Sequence, residues 1–241
     1  MEAEERVVAP PWGPDNEVYR EHIARYEFAA PLVKGLRVLD VACGSGFGSQ
    51  YLANYGAEVI GVDLSADAIV FAQKHYNAFN LSFKQEDGAN LSFADRDFDA
   101  VVSFETIEHL PDQEAFLKGI RRVLKAGGFL IASTPDREVI PKFFFDPAKY
   151  RNPFHLRELS RNELAKLLSK YFSIVQWYGQ GLFEQRQEPS AAVKFAKSFF
   201  TWLPEPIRLK LKSHITGVNT GYNIFELGDK KAKYLVAICK N

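Results

Sequence analysis

The stretch Asp40-Val41-Ala42-Cys43-Gly44-Ser45-Gly46-Phe47-Gly48 decides the fold class. An apolar segment typical of a buried strand, residues 38–42, leads into it, and a segment with helical character, residues 47–55, follows. Glycines at such a junction let the backbone approach a ligand without an intervening Cβ atom. Because ligands of open α/β sheets bind at the carboxyl ends of strands, this loop is a candidate binding site. A strand–helix turn that binds no ligand would have the same appearance.

The rest of the chain alternates between strand-like and helix-like segments. The strand-like segments are residues 38–42, 58–62, 81–83, 98–104, 129–132, 172–178 and 234–239. Helix-like segments cover residues 18–32 and 47–55, and three more follow the N-capping candidates Ser65, Asp112 and Ser160, the last in a capping box with Glu163. This alternation predicts an α/β fold with a mostly parallel sheet and helices on both faces.

Composition excludes several classes of protein. The 241 residues carry 30 Lys and Arg against 30 Asp and Glu, so charge gives no reason to expect nucleic acid as a partner. Two cysteines, Cys43 and Cys239, exclude a disulfide framework and favour a reducing, cytoplasmic location. No apolar run reaches the roughly 18 residues of a membrane span. The acidic N-terminal residues lack the apolar segment of a signal peptide.

The chain divides into four parts. We expect an N-terminal arm and helical cap over 1–35, a core over 36–181, an insertion over 182–228, and the last strand of the core over 229–241. Within the insertion, residues 194–212 hold five basic residues, one acidic residue and several aromatic ones. Such a stretch is typical of a lid helix or an oligomer contact; the alternative is a peripheral membrane contact or an anionic acceptor.

Acidic residues follow the next two strands. Asp63 closes the second strand, where a carboxylate can accept hydrogen bonds from both ribose hydroxyls, and Asp87-Gly88 follows the third, where a carboxylate can accept from an adenine amino group. A dinucleotide fingerprint needs its third glycine at position six of the loop, whereas Gly48 stands at position five counted from Gly44. A nicotinamide-dependent reductase is therefore disfavoured.

These blocks together resemble the class I S-adenosylmethionine-dependent methyltransferases. The matching motifs are residues 38–53, 59–65, 87–93, 98–110 and 124–135. The resemblance implies a Rossmann-like, seven-stranded sheet whose last strand is antiparallel, with S-adenosylmethionine as cofactor.

The resemblance also assigns residues to the cofactor. It implies that Gly44 and Gly46 cradle the methionine part, Asp40 helps to hold its amino group, and Asp63 binds the ribose. Leu64 would cover the adenine face and Asp87 would accept from the adenine amine. The complete predicted set is Asp40, Gly44, Ser45, Gly46, Asp63, Leu64, Asp87, Gly88 and Phe104.

A second cluster follows the fourth strand. If this segment makes one helical turn, Glu105, Glu108 and His109 share one face, and His155 lies in a later loop. The pattern resembles the Glu-x-x-Glu-His element of ubiquinone-biosynthesis and small-RNA 2′-hydroxyl methyltransferases. That resemblance implies a Mg²⁺ or Mn²⁺ site made of Glu105, Glu108, His109 and His155. The alternative is metal-free catalysis, with His109 or His155 as general base and Glu108 orienting it.

The acceptor is the least determined part of the prediction. Residues 152–180 resemble bacterial methyltransferases of polysaccharide and glycosylation pathways, which favours O-methylation of a sugar hydroxyl. The alternatives are O- or N-methylation of a quinone-like or secondary-metabolite molecule, and a non-catalytic S-adenosylmethionine-binding protein. In the N-terminal cap, His22, Arg25 and Tyr26 recur at helical spacing and either cover the site or form an ordinary surface helix.

Overall fold

A computed structural model describes residues 16–140, 152–183 and 222–241. The helices of this described part are α1 (Glu17–Val33), α2 (Phe47–Asn54), α3 (Ala66–His75), α4 (Gln113–Val123) and α5 (Arg161–Leu168), with a 3-10 turn at Ile107–His109. The strands are β1 (Arg37–Val41), β2 (Glu58–Asp63), β3 (Leu81–Gln85), β4 (Phe98–Phe104), β5 (Leu124–Pro135), β6 (Ser173–Phe183), β7 (Ile224–Glu226) and β8 (Lys231–Lys240).

The strands form one sheet in the order β3-β2-β1-β4-β5-β8-β6-β7. Strands β1 to β5 are parallel, β8 pairs antiparallel with both β5 and β6, and β7 pairs antiparallel with β6. The predicted α/β fold is confirmed, and the described residues form eight strands in place of the expected seven. The additional strand, Ile224–Glu226, falls within the predicted insertion and is only three residues long.

Helices cover both faces of the sheet. On one face, Phe116, Leu117 and Ile120 of α4 are buried against the apolar side chains of β1, β4 and β5, together with residues of α5. On the other face, Ala29 and Ala30 of α1 pack with α2 and the alternate strand residues. This alternation follows from the two-residue period of a strand, and it also fixes which side chains can reach α1.

Polar side chains define where the helices begin. Ser65 accepts from the backbone N–H of Ala68, Asp112 from that of Ala115, and Ser160 forms a capping box with Glu163. These three capping predictions are confirmed. Helix α1 begins after a cap at Asn16, whose side chain accepts from the backbone N–H of Tyr19.

The sheet order reverses between β1 and β4, since β1 is followed along the chain by β2 on one side and lies beside β4 on the other. The loops that leave the carboxyl ends of β1 and β4 therefore diverge to opposite sides. Such a divergence opens the crevice in which doubly wound sheets bind their ligands. Both candidate clusters, residues 40–48 and residues 104–109, lie at this crevice.

Candidate active site

A cavity of about 480 Å³ lies at the carboxyl ends of β1, β2 and β4. Its lining is His22, Tyr26, Ala42, Cys43, Gly44, Phe47, Asp63, Phe104, Glu105, Thr106, His109, Leu110 and Phe154. A second concavity of about 500 Å³ is lined mainly by charged side chains around the end of α4, including Arg121 and the ion pair of Arg122 with Asp95. Only the first cavity brings together residues that the sequence singled out for chemistry.

The glycine-rich loop forms one wall of this cavity. Ala42, Gly44 and Gly46 all have positive φ angles, of 61°, 55° and 86°. Gly44 borders the cavity, whereas Ser45 is buried and neither Ser45 nor Gly46 belongs to the lining. A Cβ atom on Gly46 would lie 2.7 Å from the Phe83 ring, so this glycine is required by packing as well as by its backbone angle.

Asp63 lies on the cavity wall at the end of β2. Its Oδ2 accepts from the backbone N–H of Gly44 at 2.9 Å, and its Oδ1 accepts from that of Ser65 at 2.8 Å. A carboxylate has about four acceptor positions, so both oxygens keep capacity for further donors. The carboxylate is therefore fixed in place and still able to bind a pair of hydroxyl groups.

The residues predicted for the adenine lie outside this lining. Leu64 is 64% exposed and does not belong to the lining. Asp87 is exposed and its Oδ1 accepts from the backbone N–H of Ala89 at 2.9 Å. A Cβ atom added to Gly88 would lie 3.0 Å from Val41 and 3.3 Å from Phe116. Their assignment to the cofactor stays a prediction.

Asp40 does not line the cavity, contrary to what a direct contact with the cofactor's amino group requires. It is fully buried, and its carboxylate accepts from Ser49 Oγ at 2.6 Å and from the Tyr26 hydroxyl at 3.2 Å. Strand alternation turns its side chain toward α1 and α2, which is why it meets these partners. Burial raises the pKa of Asp40 to about 7, although both hydrogen bonds act in the opposite direction.

Helix α1 contributes two residues to the cavity. Tyr26 packs its ring against Phe104 and Phe47, with centroids 5.0 and 5.8 Å away, and His22 lines the cavity one turn earlier. Burial, followed by the positive charges of Arg25 and Lys233, lowers the pKa of His22. The covering role considered for these two residues thus agrees with their position.

Arg25 lies behind the cavity wall and is fully buried. Its Nη1 donates to Gln180 Oε1 at 2.5 Å, and its guanidinium lies 4.8 Å from the centroid of the Tyr234 ring. Across the described residues its Nε and Nη2 atoms have no hydrogen-bond acceptor. A buried cation with two unsatisfied donors is costly, so this position needs an explanation beyond packing.

The opposite wall follows β4. Glu105 has a φ of +52° and lies ahead of the 3-10 turn, so the prediction that Glu105, Glu108 and His109 share one face of a helical turn is wrong. Glu108 is fully buried and its Oε2 accepts from Thr134 Oγ1 at 2.9 Å. Its Oε1 has no partner in the described part of the chain. Burial, and then the nearby carboxylate of Glu105, raise the pKa of Glu108.

Two histidines meet beside Glu108. The rings of His109 and His155 are nearly perpendicular, with centroids 4.8 Å apart. His109 Nδ1 lies 3.0 Å from the Phe154 carbonyl oxygen, which can only accept, so Nδ1 carries the proton. His155 Nδ1 lies 2.5 Å from Glu158 Oε1. A carbonyl or a carboxylate on the second ring nitrogen is the usual environment of a metal-binding histidine.

Three of the four residues predicted to bind a metal lie close together in the structure. Glu108, His109 and His155 each offer a ligand atom, and these atoms all lie within 4.8 Å of one another. Glu105 is not part of this group, and its Oε1 accepts from Ser133 Oγ at 2.6 Å. The loop that carries His155 is fastened to the turn by a hydrogen bond from the Arg157 backbone N–H to the Glu108 carbonyl, 3.0 Å long.

Some predictions fall outside the described residues. These are the N-terminal arm before residue 16 and the basic and aromatic stretch 194–212 with its expected membrane or oligomer contact. Among the helices that the structure does describe, none combines the length and the apolar character needed to cross a membrane.

Known proteins resemble this chain over its central part. Residues 39–132 match the family model described as a methyltransferase domain. The chain is 36% identical over 156 residues to a probable S-adenosylmethionine-dependent methyltransferase of Mycobacterium tuberculosis, covering 64% of this chain and 54% of that protein. A fatty-acid O-methyltransferase of Mycolicibacterium smegmatis is 38% identical, covering 55% and 50% of the two chains.

A ubiquinone biosynthesis O-methyltransferase of Cereibacter sphaeroides is 38% identical, covering 49% of this chain and 48% of its own. The chain thus spans about half the length of the curated relatives that it matches. Among solved structures, an S-adenosylmethionine-dependent methyltransferase from Mesorhizobium loti shares the fold, with a TM-score of 0.59 at 15% identity over 92% of this chain and 98% of that one. Residues 39–132 thus match a methyltransferase domain, and the chain is similar to S-adenosylmethionine-dependent methyltransferases in sequence and in fold.

Proposed function

We propose that this protein transfers a methyl group from S-adenosylmethionine to an oxygen atom of an acceptor. The observation that carries the proposal is the cavity itself. It has the glycine-rich loop and Asp63 on one wall, and Glu105 with His109 on the other. When bound, S-adenosylmethionine supplies an electrophilic methyl group on a sulfonium, and the protein must hold the acceptor in line with it.

The cofactor would occupy the side of the cavity next to β1 and β2. Gly44 admits it closely, Asp63 accepts from the ribose hydroxyls, and the rings of Phe47 and Phe104 supply apolar walls. Leu64 and Asp87 remain our proposed partners of the adenine, and Asp40 would act indirectly by fixing Tyr26.

A divalent cation, Mg²⁺ or Mn²⁺, would fit between Glu108, His109 and His155. The unpartnered Oε1 of buried Glu108 and the hydrogen-bonded Nδ1 atoms of both histidines support such a site. A cation there would lower the pKa of an acceptor hydroxyl. Without it, Nε2 of neutral His109 keeps a lone pair and can take the hydroxyl proton.

The acceptor side of the cavity is partly apolar. Leu110 and Phe154 line it, Phe154 is 42% exposed, and Leu156 on the same loop is 61% exposed. This surface favours the alternative considered from sequence, a quinone-like or otherwise apolar molecule with a hydroxyl group, over a sugar hydroxyl. Two relatives bear the names of fatty-acid and ubiquinone O-methyltransferases, which supports transfer to oxygen. A glycan acceptor gains no such support.

Methyl-labelled S-adenosylmethionine tests the proposal. The protein is incubated with a fractionated cell extract, and label is counted separately in glycan, lipid and small-molecule pools. We expect label in the lipid or small-molecule pool. If the metal is used, excess chelator should abolish this labelling and Mn²⁺ should restore it. Label in the glycan pool would reinstate the sugar acceptor. Binding of the cofactor without label in any pool would favour a non-catalytic binding protein.

A further inference from the structure

Glu105 has a backbone conformation that is uncommon for a residue with a side chain. Its φ of +52° places it in the left-handed region directly after β4, on the wall of the cavity. Residues other than glycine keep such a conformation only where the surrounding structure holds them, and they concentrate at functional sites. Position 105 therefore needs a reason to carry glutamate and not glycine.

Strand β5 holds this carboxylate in place. Ser133 Oγ donates to Glu105 Oε1 at 2.6 Å, and the backbone N–H of Glu105 donates to the Ser133 carbonyl at 3.1 Å. Ser133 is only 2% exposed, so its hydroxyl has a fixed position. The second oxygen, Oε2, has no donor among the residues that the structure describes, and Glu105 itself is half-buried at the cavity.

The neighbouring metal-ligand group does not include Glu105. Glu105 instead lines the cavity together with Thr106, His109 and Phe154, and Gly44 and Asp63 belong to the same lining. An ionised carboxylate accepts hydrogen bonds and donates none. An acceptor molecule placed there is bound better with an O–H group, which can donate to the Glu105 carboxylate, than with a carboxylate, which can only accept.

Building on the proposed methyl transfer, we propose that Glu105 binds the acceptor and selects its chemistry: Oε2 accepts a hydrogen bond from a hydroxyl group of the acceptor, and Ser133 is its positioning residue. The predicted role of Glu105 as a metal ligand is then replaced by one in substrate recognition. The substrate class that follows is a neutral molecule with a phenol-type or alcohol-type hydroxyl, and free carboxylic acids are rejected.

Binding of two matched probes, 4-octylcatechol and 4-octylbenzoate, tests this inference on protein saturated with S-adenosylhomocysteine. We expect the wild type to bind the catechol more tightly, and Glu105→Gln to weaken catechol binding roughly 10- to 100-fold while strengthening that of the benzoate. Ser133→Ala should weaken catechol binding roughly fivefold in the wild type and leave it unchanged in the Glu105→Gln background. Ser103→Ala, which removes another buried serine hydroxyl that donates to the Val41 carbonyl, is the matched control and should change neither affinity.

Two further readouts separate this role from the alternatives. Titration with Mn²⁺ should give the same affinity for Glu105→Gln as for the wild type and a much lower one for Glu108→Gln. Equal losses in both variants would make Glu105 a metal ligand and overturn the inference. The melting temperature of Glu105→Gly should be roughly 2–4 °C higher than that of Glu105→Ala, because only glycine adopts the positive φ angle without strain. Equal melting temperatures would remove the argument from strain.

The outcome for this inference is separable from that for the proposed function. If the two probes bind as expected but no label passes from S-adenosylmethionine to the catechol, the methyl transfer fails and the recognition role stands. If label passes to the catechol, but the Glu105→Gln variant binds the catechol as tightly as the wild type and transfers the methyl group as fast, the recognition role fails and the methyl transfer stands. A wild type that binds neither probe, or prefers the benzoate, contradicts a hydroxyl-directed Glu105.

Discussion

Replacing Asp40 with asparagine should make the protein relatively more stable as the pH rises. The carboxyl group is fully buried, and burial raises its pKa from 3.8 to about 7. The folded state therefore binds more protons than the unfolded state between these two values, and the stability of the wild type falls as the pH rises through this window. The amide of the Asp40→Asn variant is neutral throughout, so the variant lacks this loss.

The magnitude follows from linkage. With a folded pKa of about 7 and an unfolded pKa of 3.8, ionisation of Asp40 should cost roughly 3 kcal/mol of unfolding free energy between about pH 5 and pH 8. The difference in unfolding free energy between Asp40→Asn and the wild type should shift by this amount in favour of the variant. Urea unfolding at several pH values across this range measures it.

Asp99 supplies a control, because its pKa is shifted in the opposite direction from that of Asp40. The hydrogen bond from Lys125 leads the causes that lower the pKa of Asp99, so it is ionised throughout this window in both the folded and unfolded states. The stability difference for Asp99→Asn should then be constant with pH. If the difference for Asp40→Asn is equally constant, Asp40 does not titrate between about pH 5 and pH 8, and the argument from burial is refuted.

Three other predictions concern single positions. Asp63→Ala should weaken S-adenosylmethionine binding roughly 10- to 100-fold in calorimetry, because it removes a carboxylate held toward the cavity; unchanged affinity would exclude Asp63 from the site. Gly48→Ala should destabilise the fold by roughly 3 kcal/mol in urea unfolding, since the added Cβ would lie 2.0 Å from the Tyr26 ring. Gly119→Ala in α4 should stabilise it by about 1 kcal/mol, since the nearest atom to the added Cβ lies 3.9 Å away. Leu64→Ser should weaken cofactor binding roughly threefold to tenfold. Leu32→Ser, at an exposed leucine of α1, is the control and should not change it. Equal affinities of the two variants would remove Leu64 from the proposed adenine contact.

The sequence predicts the sheet well because each of its central strands is buried on both faces. Apolar runs such as Phe98–Phe104 can be recognised without knowing their neighbours, and the structure has this strand at the expected bounds. Strand β7 carries no comparable signal, since its three residues pair at an edge and only Leu227 after them is buried. Short edge strands depend on the partner more than on their own composition.

The candidate site was predictable in position and less so in detail. Loop positions after β1, β2 and β4 follow from the topology of a parallel sheet, but the direction of each side chain does not. Asp40 faces α1 because it alternates with Leu39 and Val41. Glu105 has a positive φ and does not belong to the group of Glu108, His109 and His155. Neither fact can be read from a motif, because both depend on backbone angles and on partners that are distant in sequence.

The cavity is lined both by residues inside the region that matches the methyltransferase domain and by residues outside it, and this has a consequence for specificity. Residues 39–132, which match the methyltransferase domain, supply the glycine-rich loop, Asp63 and His109. Helix α1 and the loop of residues 152–158 lie outside that match, yet they supply His22, Tyr26 and Phe154 to the same cavity. On the proposed function, proteins can share the matched region that would bind the cofactor while they differ in the segments that would meet the acceptor. Exchanging residues 152–158 with those of a relative should change the preferred acceptor and leave cofactor affinity unchanged, whereas a fall in cofactor affinity alone would place that loop on the cofactor side.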